Sequence, residues 1–306
     1  MERQVPGQPR AVAAAQPALA GVRVLLTRRP DRSARLAGVL EEAGAGVRFL
    51  PLIDFEQPSD RGELLRVIRE LSEGRFNWLV ITSATTVDAL AGAARDAGTT
   101  LAAAVPARTR IAAVGSGTAT ALRRADVDAE LVPARQSAAG LLAEWPEARG
   151  NGLGAVLLPQ ADIAAPALRE GLQALGLDVR CVTAYRTVPY PADRDRALYA
   201  PVSPDGGLLA PEAAGAELAS GRIAAVLAAS PSQVRRLVEL ELPLDRCALV
   251  AIGPSTDHEA RRLGLAVAAV AEDPGAQSVA AAVGRAVRSQ NPQNFDTSEP
   301  RMKDKA

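Results

Sequence analysis

Short apolar runs alternate with amphipathic stretches along most of this chain, and this alternation limits the folds that it can adopt. Val22–Thr27 is an apolar run of the kind that forms a buried parallel strand, and Ser33–Glu42 follows it with Leu and Val at helical spacing. Strands that alternate with helices predict an α/β fold, a parallel sheet covered by helices on both faces. The other runs that we predict to be strands are Val47–Ile53, Trp78–Thr82, Ile111–Val114, Ala155–Leu158, Val179–Thr187, Ile223–Ala228 and Ala248–Ile252.

The chain also repeats part of itself. Val24–Leu26 matches Val156–Leu158, and the match continues without a gap to Val47 and Val179. Two further echoes follow in the same order. They pair Thr82–Ala84 with Ala229–Ser232, and Ala113–Thr118 with Ala251–Thr256. We therefore predict a duplicated α/β unit, with two similar lobes of parallel sheet flanked by helices.

Charge and residue usage exclude several classes of function. Lys and Arg together number 35, as do Asp and Glu, which argues against binding to nucleic acid or a membrane surface by bulk charge. Cys181 and Cys247 lie outside any CxxC, and His258 is the single histidine. The chain therefore has few of the residues that a zinc module or a Ser-His-Asp triad requires. No apolar run approaches the roughly 20 residues of a spanning helix. We expect a cytoplasmic protein without a metal.

Hydroxyl and glycine residues recur where a predicted strand ends and a helix begins. The turns concerned contain Thr82 and Ser83, Gly115 and Thr118, Ser230 and Ser232, and Ser255 and Thr256. Helix N-termini at the carboxyl edge of a parallel sheet bind carboxylates and phosphates. The alternative is that these residues are plain helix caps. Arg28 also follows a strand, where it could meet an anionic ligand.

Tyr185 is one of three tyrosines, and it lies where the second copy of the repeat ends. A phenol at such a crossover could donate a proton or anchor a ligand by a hydrogen bond, and the alternative is a ring that only packs. Gly115-Ser116-Gly117 suggests a dinucleotide fingerprint, but Thr120 stands where the third glycine belongs.

The motifs in order resemble those of the uroporphyrinogen-III synthase family. The matching stretches are VLLTRRP (Val24–Pro30), FLPLI (Phe49–Ile53), WLVITSATTVDAL (Trp78–Leu90), AAVGSGTATAL (Ala112–Leu122), SAAGLL (Ser137–Leu142), VLLPQAD (Val156–Asp162), TAYRTVP (Thr183–Pro189), AVLAASPSQV (Ala225–Val234) and VAIGPST (Val250–Thr256). They span about residues 21–288, nearly everything but the ends of the chain.

The resemblance implies two lobes joined by a two-stranded linker. Lobe 1 would comprise 21–50 with 188–288, lobe 2 would comprise 54–182, and the linker strands would lie near Phe49–Phe55 and Thr183–Tyr190. Residues 1–20 and 289–306 are polar or aperiodic and are expected to be disordered tails.

The resemblance also implies the reaction. The family closes hydroxymethylbilane, a linear tetrapyrrole, into uroporphyrinogen III with loss of water and inversion of ring D, and it uses no cofactor or metal. Tyr185 matches the family tyrosine that assists departure of the hydroxyl group. The hydroxyl and glycine residues named above match positions that line the cleft. We expect a monomer that acts on this small molecule.

Three positions depart from the family pattern, and each departure removes a polar group. Ala229 replaces a common threonine, Thr85-Thr86 replace an asparagine-glycine pair, and Gln160 stands where arginine is common. Two other functions therefore stay open. One is a two-lobed binding or sensor module for a tetrapyrrole or other anion, without turnover. The other is a nucleotide-sugar or cofactor-binding transferase.

Overall fold

The computed structural model describes residues 18–146, 154–203 and 206–290. Two compact units share the chain: the first runs up to Ile53 and resumes at Val202, and the second is Asp54–Pro201. The predicted tails lie outside the described residues except at their inner ends. There Leu19 is buried in the first unit, and Ser289 and Gln290 finish a helix.

Ten strands and eleven α-helices make up the described part of the chain. The strands are β1 (Arg23–Leu26), β2 (Gly46–Phe49), β3 (Ile53–Glu56), β4 (Trp78–Ile81), β5 (Arg110–Ala113), β6 (Ala155–Ala161), β7 (Asp178–Pro189), β8 (Ala225–Ala228), β9 (Ala248–Ala251) and β10 (Val267–Val270). The helices are α1 (Ala34–Glu42), α2 (Arg61–Ser72), α3 (Ala84–Asp96), α4 (Leu101–Ala104), α5 (Ser116–Arg124), α6 (Ala138–Ala143), α7 (Ala167–Ala174), α8 (Pro211–Ala219), α9 (Pro231–Glu239), α10 (Pro254–Arg262) and α11 (Ala276–Gln290).

The first unit is built on a five-stranded sheet in the order β10-β9-β8-β1-β2, and every neighbouring pair is parallel. Alternate residues of β1 enter different cores. Val24 and Leu26 pack with Val283 of α11 on one face, and Leu25 packs with Leu237 of α9 on the other. Burial on both faces explains why the strand sequences are apolar without alternation.

The second unit has a five-stranded sheet in the order β3-β7-β6-β4-β5, in which β7, β6, β4 and β5 pair in parallel. Leu79 and Ile81 of β4 join the core that contains α2 and α3, and Trp78 and Val80 join a second core with Leu168 of α7. The two sheets confirm the predicted α/β class.

The predicted duplication is confirmed in the register of the strands. Val24 pairs with Val47 between β1 and β2, and their counterparts Val156 and Val179 pair between β6 and β7. Each connecting helix is followed, two residues after its end, by a glycine with positive φ, which Cβ-bearing residues rarely adopt: Gly44 and its counterpart Gly176 have φ of 90° and 82°. The echoed segments therefore fold alike.

The prediction of one strand over Val47–Ile53 is wrong. β2 ends at Phe49 and β3 begins at Ile53 in the other sheet. Pro51 lies between them and has no N–H to donate, which favours a break in the strand at this point. Strand β10 was not predicted either, because its run of Val and Ala residues is short and only partly buried.

Residues 190–201, which we name the strap, pack with the second unit, whereas the resemblance placed them in lobe 1. The Leu198 N–H donates to the Phe55 carbonyl at 2.8 Å, and the Gln57 N–H donates to the Arg196 carbonyl at 2.8 Å. These bonds pair the strap with β3 in the antiparallel direction, with a bridge between Glu56 and Ala197. Among the helices of the described residues, none has the length and apolar character needed to cross a bilayer.

A buried carboxylate joins α9 to α10 in the first unit. Glu259 is 8% exposed and receives Arg235 Nη1 at 2.7 Å and Arg262 Nε at 2.8 Å. The hydrogen bonds from these two guanidinium groups lower the pKa of Glu259 from 4.5 to about 2. Since the unfolded chain binds the proton first, this contribution to stability is complete above pH 4.5 and is lost as the pH falls toward 2.

We expect Glu259→Gln to lower the unfolding midpoint at pH 7 and to flatten its decline between pH 4.5 and 2, because the titrating group is gone. Denaturant unfolding followed by circular dichroism at several pH values measures both effects. Glu239→Gln is the matched control, because Glu239 binds Arg236 at the surface. A variant with the wild-type pH slope would contradict this role of Glu259.

Candidate functional site

Thr82 and Ser83 lie at the carboxyl end of β4, as predicted. Ser83 is the N-cap of α3, with extended backbone, and its Oγ accepts the Thr86 N–H at 3.1 Å. The Thr86 hydroxyl is 3.0 Å from the same oxygen. Both Thr82 and Ser83 are partly exposed, so a ligand can reach this turn although Ser83 caps the helix.

Tyr185 reaches this turn from β7. Its Oη lies 3.2 Å from Ser83 Oγ, although 102 residues separate the two in the chain. The ring packs with Ala89 and Ala184 and is met edge-on by Phe55, at 5.4 Å between ring centroids. The structure thus joins two residues that the sequence analysis selected from different motifs.

A β-bulge sets the position of Tyr185. Gln160 of β6 pairs with Thr183, but the next residue, Ala161, pairs with Tyr185, so the register skips Ala184. The skip breaks the alternation of the strand, and Ala184 and Tyr185 are both buried, at 0% and 7% exposure. Bulges re-aim side chains and are common beside functional sites.

Asp162 fixes the bulged segment from the neighbouring loop. Its backbone N–H donates to the Tyr185 carbonyl at 3.1 Å, and its Oδ1 accepts the Thr187 N–H at 2.9 Å. One residue therefore holds the chain on both sides of Arg186. These bonds restrain the backbone that carries the phenol.

The turn before α5 lies beside that of α3, because β4 and β5 are neighbours. Gly115 is the N-cap, and the Ser116 N–H donates to the side-chain Oε1 of Gln136 at 2.9 Å. A Cβ on Gly115 would lie only 3.0 Å from that oxygen, so the glycine leaves room for the carboxamide. Thr118 lies in the first turn of α5 and is 6% exposed.

The first unit places its own candidates at the carboxyl ends of three neighbouring strands. Arg28 follows β1, Ser230 and Ser232 follow β8, and the turn of Ser255 follows β9. Ser230 is the N-cap of α9, and its Oγ is 3.0 Å from Ser232 Oγ. Arg28 is partly buried. Parallel pairing thus brings these residues to one edge of the first sheet.

Ser255 and Thr256 differ in exposure. Ser255 is exposed in the first turn of α10, whereas Thr256 is 2% exposed. Thr118 holds the equivalent place in the second unit and is also buried. In these two turns, a ligand can therefore reach the exposed residues but not the side chains of Thr118 and Thr256.

A buried glutamine supports the turn of Ser230. Gln233 is 3% exposed, and its Oε1 accepts the Ala229 N–H at 2.7 Å. The Thr27 hydroxyl, at the end of β1, lies 2.9 Å from the same oxygen and 2.7 Å from the Leu227 carbonyl. The carboxamide therefore ties the end of β8 to the end of β1.

The positions that depart from the family pattern have local roles. The backbone of Ala229 is bound by Gln233, Thr86 contacts Ser83, and Thr85 is 5% exposed in α3. Gln160 is partly exposed at the end of β6, where it forms the last regular pair before the bulge.

The two cysteines are not joined in a disulfide. Burial raises the pKa of the Cys247 thiol to about 12, and burial also raises the pKa of Cys181. A thiol that stays protonated packs as a small apolar side chain.

Four residues that support these turns were not predicted from the sequence: Phe55, Asp162, Gln136 and Gln233. Asp162 had a usable signal, because it follows a predicted strand at the edge where polar side chains gather. Phe55 and Gln136 act on residues 20 or more positions away, and Gln233 joins the nearby Ala229 to the distant Thr27, so none of the three has a local pattern in the sequence. In each unit the arrangement can donate hydrogen bonds to anionic groups, and in the second it adds one phenol.

Comparison with known families gives a match over most of the chain. The family model described as uroporphyrinogen-III synthase HemD matches residues 34–281. A search of curated proteins finds no match.

Two solved structures are similar in fold. One is a mutant uroporphyrinogen III synthase from the extremely thermophilic bacterium Thermus thermophilus, with 21% identity, a TM-score of 0.58 and coverage of 88% of this chain and 99% of that one. The other is uroporphyrinogen-III synthetase from Helicobacter pylori, with 14% identity, a TM-score of 0.51 and coverage of 84% and 96%. With motifs, fold and family match in agreement, this chain belongs to the uroporphyrinogen-III synthase family, enzymes that cyclise hydroxymethylbilane.

Proposed function

We propose that this chain converts hydroxymethylbilane to uroporphyrinogen III and that Tyr185 is its catalytic residue. The observation that carries the assignment is the Tyr185 Oη to Ser83 Oγ contact of 3.2 Å. It places a phenol, on a braced and bulged strand, beside a helix N-terminus at the carboxyl edge of a sheet. That edge is where open α/β sheets bind ligands.

Tyr185 would assist the first chemical step. The C–O bond to the hydroxymethyl carbon breaks, its electron pair leaves with the oxygen, and the phenol gives that oxygen a proton to form water. The azafulvene cation that remains is attacked by the substituted carbon of ring D, which forms a spiro intermediate. The bond from that carbon to the methylene of ring C then breaks, and the azafulvene that this leaves on ring C is attacked by the free carbon of ring D, so that ring D is inverted. A proton leaves ring D when its aromaticity returns, which balances the proton given by Tyr185.

The carboxylates of the substrate would be held by the helix N-terminal turns. Thr82, Ser83 and Gly115 offer hydroxyl or backbone donors in the second unit, and the first unit offers Ser230, Ser232 and Ser255, with Arg28 nearby. Thr118 and Thr256 would support these turns from within. Backbone N–H groups and the helix dipole favour anions without a dense basic patch. Much of the catalysis would then be positioning of the chain ends.

The remaining assignments follow from the family reaction. The substrate is a small molecule, and we propose that the protein acts as a monomer, without a cofactor. We place it in the cytoplasm, which is consistent with its two unpaired cysteines.

The first test is the reaction itself. Purified protein incubated with freshly generated hydroxymethylbilane should give type III uroporphyrinogen in excess over the spontaneous type I isomer, after oxidation and chromatographic separation of the porphyrins. A folded protein that yields type I alone would refute the enzyme and favour the binding module.

The second test removes the phenol. Tyr185→Phe should lower kcat on the order of 100-fold, in the range of general acid catalysis, with little change in KM or unfolding midpoint. The ring and its packing on Phe55 remain, so the variant loses only the hydroxyl, which is the proton donor and the partner of Ser83. Type III formation at the wild-type rate would rule out this role for Tyr185.

The third test separates helix capping from catalysis. Ser83→Ala should cost about 1 kcal/mol of stability through loss of the cap. It should also lower kcat roughly 2- to 10-fold, since one hydrogen bond to Tyr185 is lost. Ser137→Ala is the matched control, because Ser137 caps α6 and accepts the Gly140 N–H at 3.1 Å. Equal activity of the two variants would mean that Ser83 is a cap only.

A further inference from the structure

We propose that Tyr199 and Asp88 are positioning residues for Tyr185 and act on it through the ring of Phe55. The proposal rests on the proposed function of Tyr185. It concerns residues of the strap and of α3 that are not among the predicted site residues.

The strongest contact of this set is between Tyr199 and Asp88. The Tyr199 hydroxyl donates to Asp88 Oδ2 at 2.6 Å, the short distance expected of a charge-assisted bond. Both side chains are partly buried, which limits competition from water. The bond holds the ring of Tyr199 against α3.

Phe55 connects Tyr199 to Tyr185. The edge-to-face contacts of Phe55 have centroid distances of 5.4 Å to Tyr185 and 6.0 Å to Tyr199, with interplanar angles of 84° and 81°. Such T-shaped pairs are directional, because the positive edge of one ring meets the negative face of the other. A displaced Tyr199 would therefore allow Phe55, and then Tyr185, to turn.

The series of contacts begins and ends on the same helix, α3. Ser83 caps α3 and meets the hydroxyl of Tyr185, while Asp88, in the second turn of the same helix, holds Tyr199. The helix fixes the separation of these two anchors. The phenol of Tyr185 is thus held at its oxygen by Ser83 and at its ring by Phe55.

The strap is attached independently of the Tyr199 hydroxyl. Glu56, 4% exposed, accepts the Asp193 N–H at 3.1 Å and lies 3.4 Å from Arg196. Asp54 accepts the Ala192 N–H at 3.2 Å. Removing the Tyr199 hydroxyl should therefore leave the strap in place and change only the restraint on the rings.

The test compares Tyr199→Phe and Asp88→Asn with wild type in the type III assay. Because a misplacement of about 1 Å can cost on the order of 100-fold in rate, we expect Tyr199→Phe to lower kcat on the order of 10-fold. KM should not change. Asp88→Asn keeps an acceptor for the hydroxyl and should lose less than Tyr199→Phe.

A double variant distinguishes positioning from general destabilisation. In Tyr185→Phe/Tyr199→Phe the phenol to be positioned is absent, so kcat should equal that of Tyr185→Phe alone. If the two losses multiply, or if Tyr199→Phe raises KM and leaves kcat unchanged, the proposal is overturned.

Asp195→Asn is the control, because Asp195 lies exposed in the same strap. It should have wild-type kcat. The failures are distinguishable: a wild-type protein without type III activity defeats the proposed function, whereas an active wild type with an equally active Tyr199→Phe defeats only this inference. Should Tyr199→Phe not fold, Asp88→Ala, which removes the acceptor of the Tyr199 hydroxyl, carries the same comparison.

Discussion

Parallel pairing of the strands determines the edge of each sheet at which the helix N-termini and the candidate site residues lie. It sends the carboxyl ends of β4, β5, β6 and β7 to one edge of the second sheet, and those of β1, β8 and β9 to one edge of the first. Parallel strands need crossover helices, and each crossover begins with a helix N-terminus at that edge. A row of backbone donors and capping hydroxyls is thus a consequence of the fold before any functional demand is made.

Equivalent strands occupy equivalent places in the two sheets, although the chain visits them in a different order. β9-β8-β1-β2 in the first unit corresponds to β5-β4-β6-β7 in the second, as the echoes in the sequence pair them. The first unit takes its β1 and β2 before the second unit begins and its β8 and β9 after that unit ends. Sheet order is set by packing and pairing, so it tolerates this interleaving, and the echoes of one unit need not be contiguous.

Most of the fold could be predicted because buried parallel strands leave continuous apolar runs, and because helix ends leave glycines such as Gly44 and Gly176. The candidate turns could be predicted for the same reason, since they follow strand ends. The junction of Ser83 with Tyr185 could not, because it depends on a bulge in β7 that skips Ala184. The packing of the strap could not be predicted either, because its prolines and polar residues have no periodic pattern. Its attachment depends on hydrogen bonds to Glu56 and Asp54, which are distant in the sequence.

The second unit concentrates its directional interactions around one phenol. Backbone bonds from Asp162 restrain the strand, Ser83 meets the hydroxyl, and Phe55 meets the ring. A reaction that loses water and then closes a ring needs little from a general acid beyond correct placement, because the chemistry after C–O cleavage belongs to the pyrroles. In such a site, precision of position replaces strength of charge. The proposed site therefore asks for neither a dense basic patch nor a histidine, in keeping with a chain of zero net charge and a single histidine.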